Sequence, residues 1–184
     1  VERYWEINDI IRLGDNKSYY IPGDAIVYGN MRSDNGENIR IYGHGALSGL
    51  KIMHMDAFEE IGIANDGWNL RGIVIENANN CHVNGITMDN HASHTFGFHA
   101  GESVEQASSV SWVKVIGWRP NSDGLSASGN LLAEDCFFRC QDDGLYIGGA
   151  KPMSRCIFWH DVNGQTFRGD FMTSRIASDY SLNW

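Results

Sequence analysis

Residues 121–167 read NSDGLSASGNLLAEDCFFRCQDDGLYIGGAKPMSRCIFWHDVNGQTF, and laying this stretch over itself at an offset of 20 decides the architecture. Asp123-Gly124-Leu125 returns as Asp143-Gly144-Leu145 and, loosened, as Asn163-Gly164-Gln165. At the same offset Ile116, Cys136 and Cys156 share a column, as do Phe138 and Phe158, and as do Ala127, Ile147 and Phe167. A repeat of about 20 residues made only of short apolar runs and turns fits a right-handed parallel β-helix, an all-β solenoid whose coils bury inward side chains on their neighbours. A leucine-rich repeat has a similar period but needs a leucine and asparagine frame that is missing, and a propeller blade is about twice as long.

Upstream the same vocabulary continues less regularly. Apolar runs at 39–41, 73–76, 83–88, 95–99, 113–116 and 156–159 read as strands, separated by Asn, Asp, Gly and Ser clusters that read as turns. Residues 1–37 contain no clean repeat and are expected to form an irregular leading segment. The catalytic β-helix domain is expected over 38–184, its first convincing coil at 38–49.

Composition narrows the function. Hydrophobic residues at 42% and charged residues at 20% describe a chain that folds, and 21 glycines against 3 prolines suit a backbone that turns often. With 14 basic and 23 acidic residues the net charge is -9, which argues against nucleic acid or an anionic membrane surface as partner. No run approaches the roughly 20 apolar residues of a membrane span. Cys81, Cys136, Cys140 and Cys156 allow up to two bridges without selecting a pairing. The chain is expected to be secreted and to be a piece of a longer one; its oligomeric state is not legible.

In stacked coils, residues one period apart lie roughly 4.8 Å above one another. Asp123 and Asp143 are therefore expected as vertical neighbours, with Asp142 joining them diagonally where Gly144 lets the backbone bend. Asp-Gly also marks ordinary turns, and stacked Asn or Asp can form a structural ladder. Three carboxylates together are different, because their repulsion separates their pKa values and leaves one acid protonated beside charged neighbours. Inverting glycoside hydrolysis needs an acid at the leaving oxygen and a base across a gap of roughly 6.5–9.5 Å that admits water. Asp142 is assigned as the acid, and Asp123 with Asp143 as the pair that holds and deprotonates the water.

Asn121-Ser122-Asp123-Gly124 followed by Gln141-Asp142-Asp143 resembles the Asn-x-Asp and Asp-Asp motifs of the polygalacturonase clan, which includes the dextranase and isopullulanase family. Gly43-His44-Gly45-Ala46-Leu47-Ser48-Gly49 resembles the coil that precedes the catalytic coils in these inverting β-helix hydrolases. The likeness covers roughly residues 39–170 and implies the same roles for the three aspartates, with no metal and no cofactor. Val162-Asn163-Gly164 stands where polygalacturonases carry Gly-His-Gly, and Arg175-Ile176-Ala177 lacks the lysine of their Arg-Ile-Lys. A neutral α-glucan, dextran- or pullulan-like and cut internally, is accordingly expected before an acidic polymer.

Asn121, Gln141, His94, His99, Trp118, Asn163 and Arg168 are the candidate sugar contacts, with Trp159 and Asp170 as weaker ones. His91, His94 and His99 lack zinc spacing and are expected to face solvent or line the groove. Two other functions compete: a β-helix polysaccharide lyase using Lys151 or Arg155 as its base, and a non-catalytic sugar-binding or adhesin module.

Overall fold

The computed structural model describes residues 10–54, 70–100, 106–148, 153–160, 163–164 and 166–169. Among these every regular element is a short strand, and all strand pairs are parallel. The first sheet stacks β1 (Ile10–Arg12), β4 (Asn30–Ser33), β7 (Ile73–Ala78), β10 (Phe96–Ala100), β13 (Leu125–Ser128), β16 (Leu145–Gly148) and β19 (Phe167–Gly169) in that order. The second stacks β2 (Ser18–Ile21), β5 (Arg40–Gly43), β8 (His82–Asn84), β11 (Ser108–Ser111), β14 (Leu131–Glu134) and β17 (Met153–Ser154). The third stacks β3 (Ile26–Tyr28), β6 (Ala46–Ser48), β9 (Thr87–Asp89), β12 (Lys114–Ile116), β15 (Phe137–Cys140) and β18 (Ile157–His160). One strand of each sheet per coil makes the expected right-handed parallel β-helix.

The core is a set of apolar columns. Leu47, Met88, Val115 and Phe138 pair in register down the third sheet, and the Phe138 ring lies on Phe158 with centroids 5.0 Å apart. Ile41, Val83, Val110 and Ala133 do the same in the second, all fully or nearly fully buried. Strand alternation sends Phe137 and Arg139, flanking Phe138, to the outer face.

Each corner has its own chemistry. Between the second and third sheets the turn is two residues long from β8 onward. Its first residue is left-handed (Gly85, Trp112, Asp135, Arg155), and its second, the apolar Ile86, Val113, Cys136 or Cys156, packs inward. Between the first and second sheets Asn38 donates to Asn16 at 2.8 Å and Asn80 to Asn38 at 2.7 Å, an amide ladder of neutral stacked side chains. The corner between the third and first sheets is the variable one, with four residues between β15 and β16, eight between β12 and β13, and residues 49–72 between β6 and β7.

Several sequence expectations shift in register. Residues 10–33, placed in an irregular leading segment, supply β1 to β4 and pair with later coils. Residues 83–88 are two strands, because the corner at Gly85-Ile86 divides them. Ile116 pairs with Arg139, so the column of Cys136 and Cys156 continues through Val113, not Ile116. The repeat of 20 holds from Leu125 to Leu145, but Leu145 pairs with Phe167, 22 positions on, because the variable corner of the last coil is two residues longer. The four cysteines are free thiols, and Cys81, Cys136 and Cys140 are buried.

Phe138→Ala removes a ring enclosed on both sides of its column and should cost about 3–5 kcal/mol in urea unfolding. Asn38→Ala, which breaks two ladder bonds, should cost about 1–2 kcal/mol. Equal losses would contradict a stability dominated by the apolar columns.

Candidate active site

The site grows out of the variable corner, where the chain leaves the third sheet and enters the first. Phe96 pairs with Leu125 and Leu125 with Leu145, so the residues two places earlier stack as well: His94 beneath Asp123, and Asp123 beneath Asp143. The backbone ties this column together, for Thr95 N–H donates to the Asp123 carbonyl at 2.9 Å and Gly124 N–H to the Asp143 carbonyl at 2.8 Å. Gly124 permits the close approach, since a Cβ there would run into the Gly144 carbonyl oxygen and the Cys140 sulfur. Asp123 and Asp143 are both buried, at 5% and 3% exposure, and the parallel pairing sets their strands roughly 4.8 Å apart.

Asp142 lies beside this pair and is held from the coil above. Its Oδ1 accepts the Asp143 N–H at 2.9 Å, and its Oδ2 accepts the Asn163 side-chain amide at 3.0 Å. Gly164, left-handed with φ 73°, lets that turn lie directly over Asp142. Asn163 thus meets Asp142 rather than continuing the Asp123 and Asp143 column; Asn163 N–H donates to the Gln141 carbonyl, which fixes the register. The two extra residues of that corner cause the slip.

Burial, reinforced by the Asp142 and Asp143 carboxylates, pushes Asp123 up to about 7 from its ordinary 3.8, against the opposing pull of Arg71. His94 Nδ1 stands 3.3 Å from Asp123 Oδ2. Arg71, two positions before Ile73, is in the same column one coil further down, and its side chain lies over Gly97 on the outer face of the first sheet. Among the described residues the carboxylate cluster is therefore faced by the His94 ring and the Arg71 guanidinium, and it holds a group able to exchange a proton near neutral pH.

The remaining candidates divide. Gln141, with its amide nitrogen turned toward the Trp118 and Arg119 carbonyls, donates to both, and its backbone N–H donates to Ser122 Oγ at 3.3 Å. It braces the turn that carries Asn121, itself left-handed at φ 54°. Trp118 is on the same loop and 60% exposed. His99 points out from the far end of β10, where its ring bonds Ser128 Oγ at 2.9 Å, away from the carboxylates. His91 is not solvent-facing or groove-lining. It is fully buried, its Nδ1 3.4 Å from Asn30 Oδ1, and desolvation takes its pKa down to about 3. Arg168 is on β19 in register with Tyr146; its side chain, like Asp170, Lys151 and Arg175, lies outside the described residues. Among the described residues no group of three or more His, Cys, Asp or Glu is arranged to hold a metal.

No family model and no curated protein sequence matches the chain. Among solved structures, "a putative glycosyl hydrolase from Parabacteroides merdae" superposes with a TM-score of 0.64 at 18% identity, over 80% of this chain and 76% of that one. The likeness is one of fold. It fits the solenoid described above and leaves residue roles to the geometry.

Sequence reading missed Arg71, because the coils there are spaced 23 and 29 residues apart and no period points to it. It also missed Arg119, whose guanidinium donates to the Gly49, Leu50 and Ile52 carbonyls and anchors the loop beside the site.

The native state binds the Asp123 proton more tightly than the unfolded chain does, so this group's contribution to stability is complete below about pH 4 and is lost as pH rises from there through about 7. At about 1.4 kcal/mol per pKa unit the decline attributable to this group is at most about 4 kcal/mol. Asp123→Asn should flatten the pH dependence of the unfolding free energy between pH 4 and pH 8 and be the more stable form at pH 8. A parallel profile for both proteins would refute the buried, proton-holding Asp123.

Proposed function

We infer that the protein is a glycoside hydrolase that cleaves a polysaccharide with inversion, using Asp142 as general acid and Asp123 with Asp143 to hold and deprotonate the attacking water. The observation that carries this reading is the convergence of three carboxylates at one corner, two buried and stacked, the third partly buried and set beside them. Asp123, whose buried carboxyl is pushed up to about 7, is a stronger base than a solvated aspartate. The placement of Asp142, fixed by Asn163 and its own chain beside the stacked pair, supports its assignment as the acid, since an inverting acid stands apart from the base to admit water. The fold shared with the Parabacteroides protein agrees with glycosidase chemistry.

The lyase alternative loses ground on Arg155. It is bound to Asp135 at 2.6 and 2.7 Å and to Glu134 at 2.9 Å, at the corner between the second and third sheets. A neutral glucan, dextran- or pullulan-like, fits a site lined by Asp123, Asp142 and Asp143, where an acidic polymer would meet like charge.

One observation favours a reversed assignment. The raised pKa belongs to Asp123, so that residue could serve as the acid in place of Asp142. The pH dependence separates the two. With Asp123 as base, kcat/KM rises with pH through about 7; with Asp123 as acid, it falls there. Reducing-sugar release should be measured from dextran, pullulan and polygalacturonate with the wild type and Asp142→Asn. Release from a neutral glucan, lowered about 10²–10⁴-fold by the substitution, is the expected result. Products absorbing in the ultraviolet would mean a lyase, and release unchanged in Asp142→Asn would remove Asp142 from the chemistry.

A further inference from the structure

Beside the carboxylate corner the outer face of the third sheet carries a feature that catalysis does not use. Arg139 and Trp159 pair in register on β15 and β18, both pointing outward because their neighbours Phe138 and Phe158 point in. The Arg139 guanidinium carbon lies 3.5 Å from the centroid of the Trp118 ring, and Arg139 Nη1 donates to the Gly117 carbonyl at 2.5 Å. Arg139 is only 8% exposed, whereas Trp118 is 60% and Trp159 64% exposed, with Ile157 at 63% on the same strand. One face of the Trp118 indole is thus covered by a cation and the other is left to solvent.

The loop that carries the exposed ring is held along its backbone. The Trp118 backbone N–H donates to Asn90 Oδ1 at 3.2 Å, the Gln141 amide donates to the Trp118 and Arg119 carbonyls, and His54 Nε2 is 2.8 Å from the Pro120 carbonyl. Together with the Arg119 anchor, these contacts pin the loop from the coils on either side. A large aromatic kept rigid and open loses little conformational freedom when something binds it, which is the economy of a recognition surface rather than of a core residue.

We propose that Trp118, Arg139 and Trp159 form a polysaccharide-binding strip that runs along the third sheet into the carboxylate corner. Its occupant is a chain of pyranose rings: the C–H faces of the sugars lie on the two indoles, and the buried Arg139 guanidinium backs the Trp118 ring from beneath. Two features select this occupant. The strip is continuous with the site, since the loop bearing Trp118 runs through Asn121 into Asp123 and Arg139 is two residues before Gln141. The surrounding charge, -9 for the chain, disfavours nucleotides, which would otherwise suit stacked aromatics. The proposal deepens the hydrolase reading and rests on it for the class of ligand.

The test is native electrophoresis through gels containing dextran, pullulan or polygalacturonate, using the Asp142→Asn chain so that no polymer is consumed. That chain should be retarded in at least one gel. Trp118→Ala with Trp159→Ala should weaken the apparent affinity about tenfold or more, while Trp112→Asn, an equally exposed tryptophan at another corner, should leave it unchanged. Near-ultraviolet circular dichroism and the unfolding midpoint confirm that each variant is folded. Retardation that survives the double substitution, or no retardation of the parent in any gel, overturns the strip. So does a double variant that loses self-association by sedimentation while its retardation stands, since the face would then be a contact between copies of the chain. Retardation without hydrolysis by the wild type leaves the strip in place and removes the hydrolase.

Discussion

Parallel register is the constraint on which everything else depends. Once a coil is laid on its neighbour at roughly 4.8 Å, each residue is committed to the company of the residue above and below it. Apolar residues gain from this, because like side chains stack without penalty and the Leu47, Met88, Val115 and Phe138 column buries itself. Amides gain too, as Asn38 donates to Asn16 in one neighbouring coil and accepts from Asn80 in the other. Carboxylates gain nothing. Stacking Asp123 under Asp143 sets like charges together in a buried place, and the solenoid meets this with a retained proton, with His94, and with the pull of Arg71. A strained column of this kind costs stability, and the site is where the molecule has a use for it.

The three corners divide the labour. The turn between the second and third sheets is kept at two residues from β8 onward by a left-handed position followed by an inward apolar one, which leaves no room for insertion. The corner that carries the aspartates varies most in length, and its loops are secured by side chains instead of by strand pairing: Arg119 to the carbonyls of 49–52, Gln141 to those of 118 and 119, Asn163 to Asp142. Function gathers on the loops while the sheets supply the precision, as it does on other repetitive scaffolds.

That division explains what was legible in the sequence. The repeat of 20 was visible because β13 to β18 have short, equal corners, and Asp123 and Asp143 are stacked as their spacing requires. Where the variable corner lengthens, the period fails. Asn163 slides from the Asp143 column to Asp142, Ile116 gives its place to Val113, and the coils of residues 10–33 look structureless because residues 49–72 intervene before the next strand of the first sheet. Trp118 stood out by residue type, and Gln141 by its place beside the paired aspartates. Arg71 could not, for only the fold brings it beneath Asp123.

His91 and His94 show how little separates a structural residue from a chemical one in such a fold. They are three positions apart in the same corner, yet His91 turns inward under Gly72, where desolvation holds it neutral, and His94 turns to Asp123. The difference is one of facing, set by the six residues between β9 and β10, a quantity no composition or motif records. A corner of different length would take His94 out of register with Asp123 and leave the aspartate pair without its neighbour. Corner length, more than residue identity, therefore decides which polar side chains this solenoid can put to chemical use.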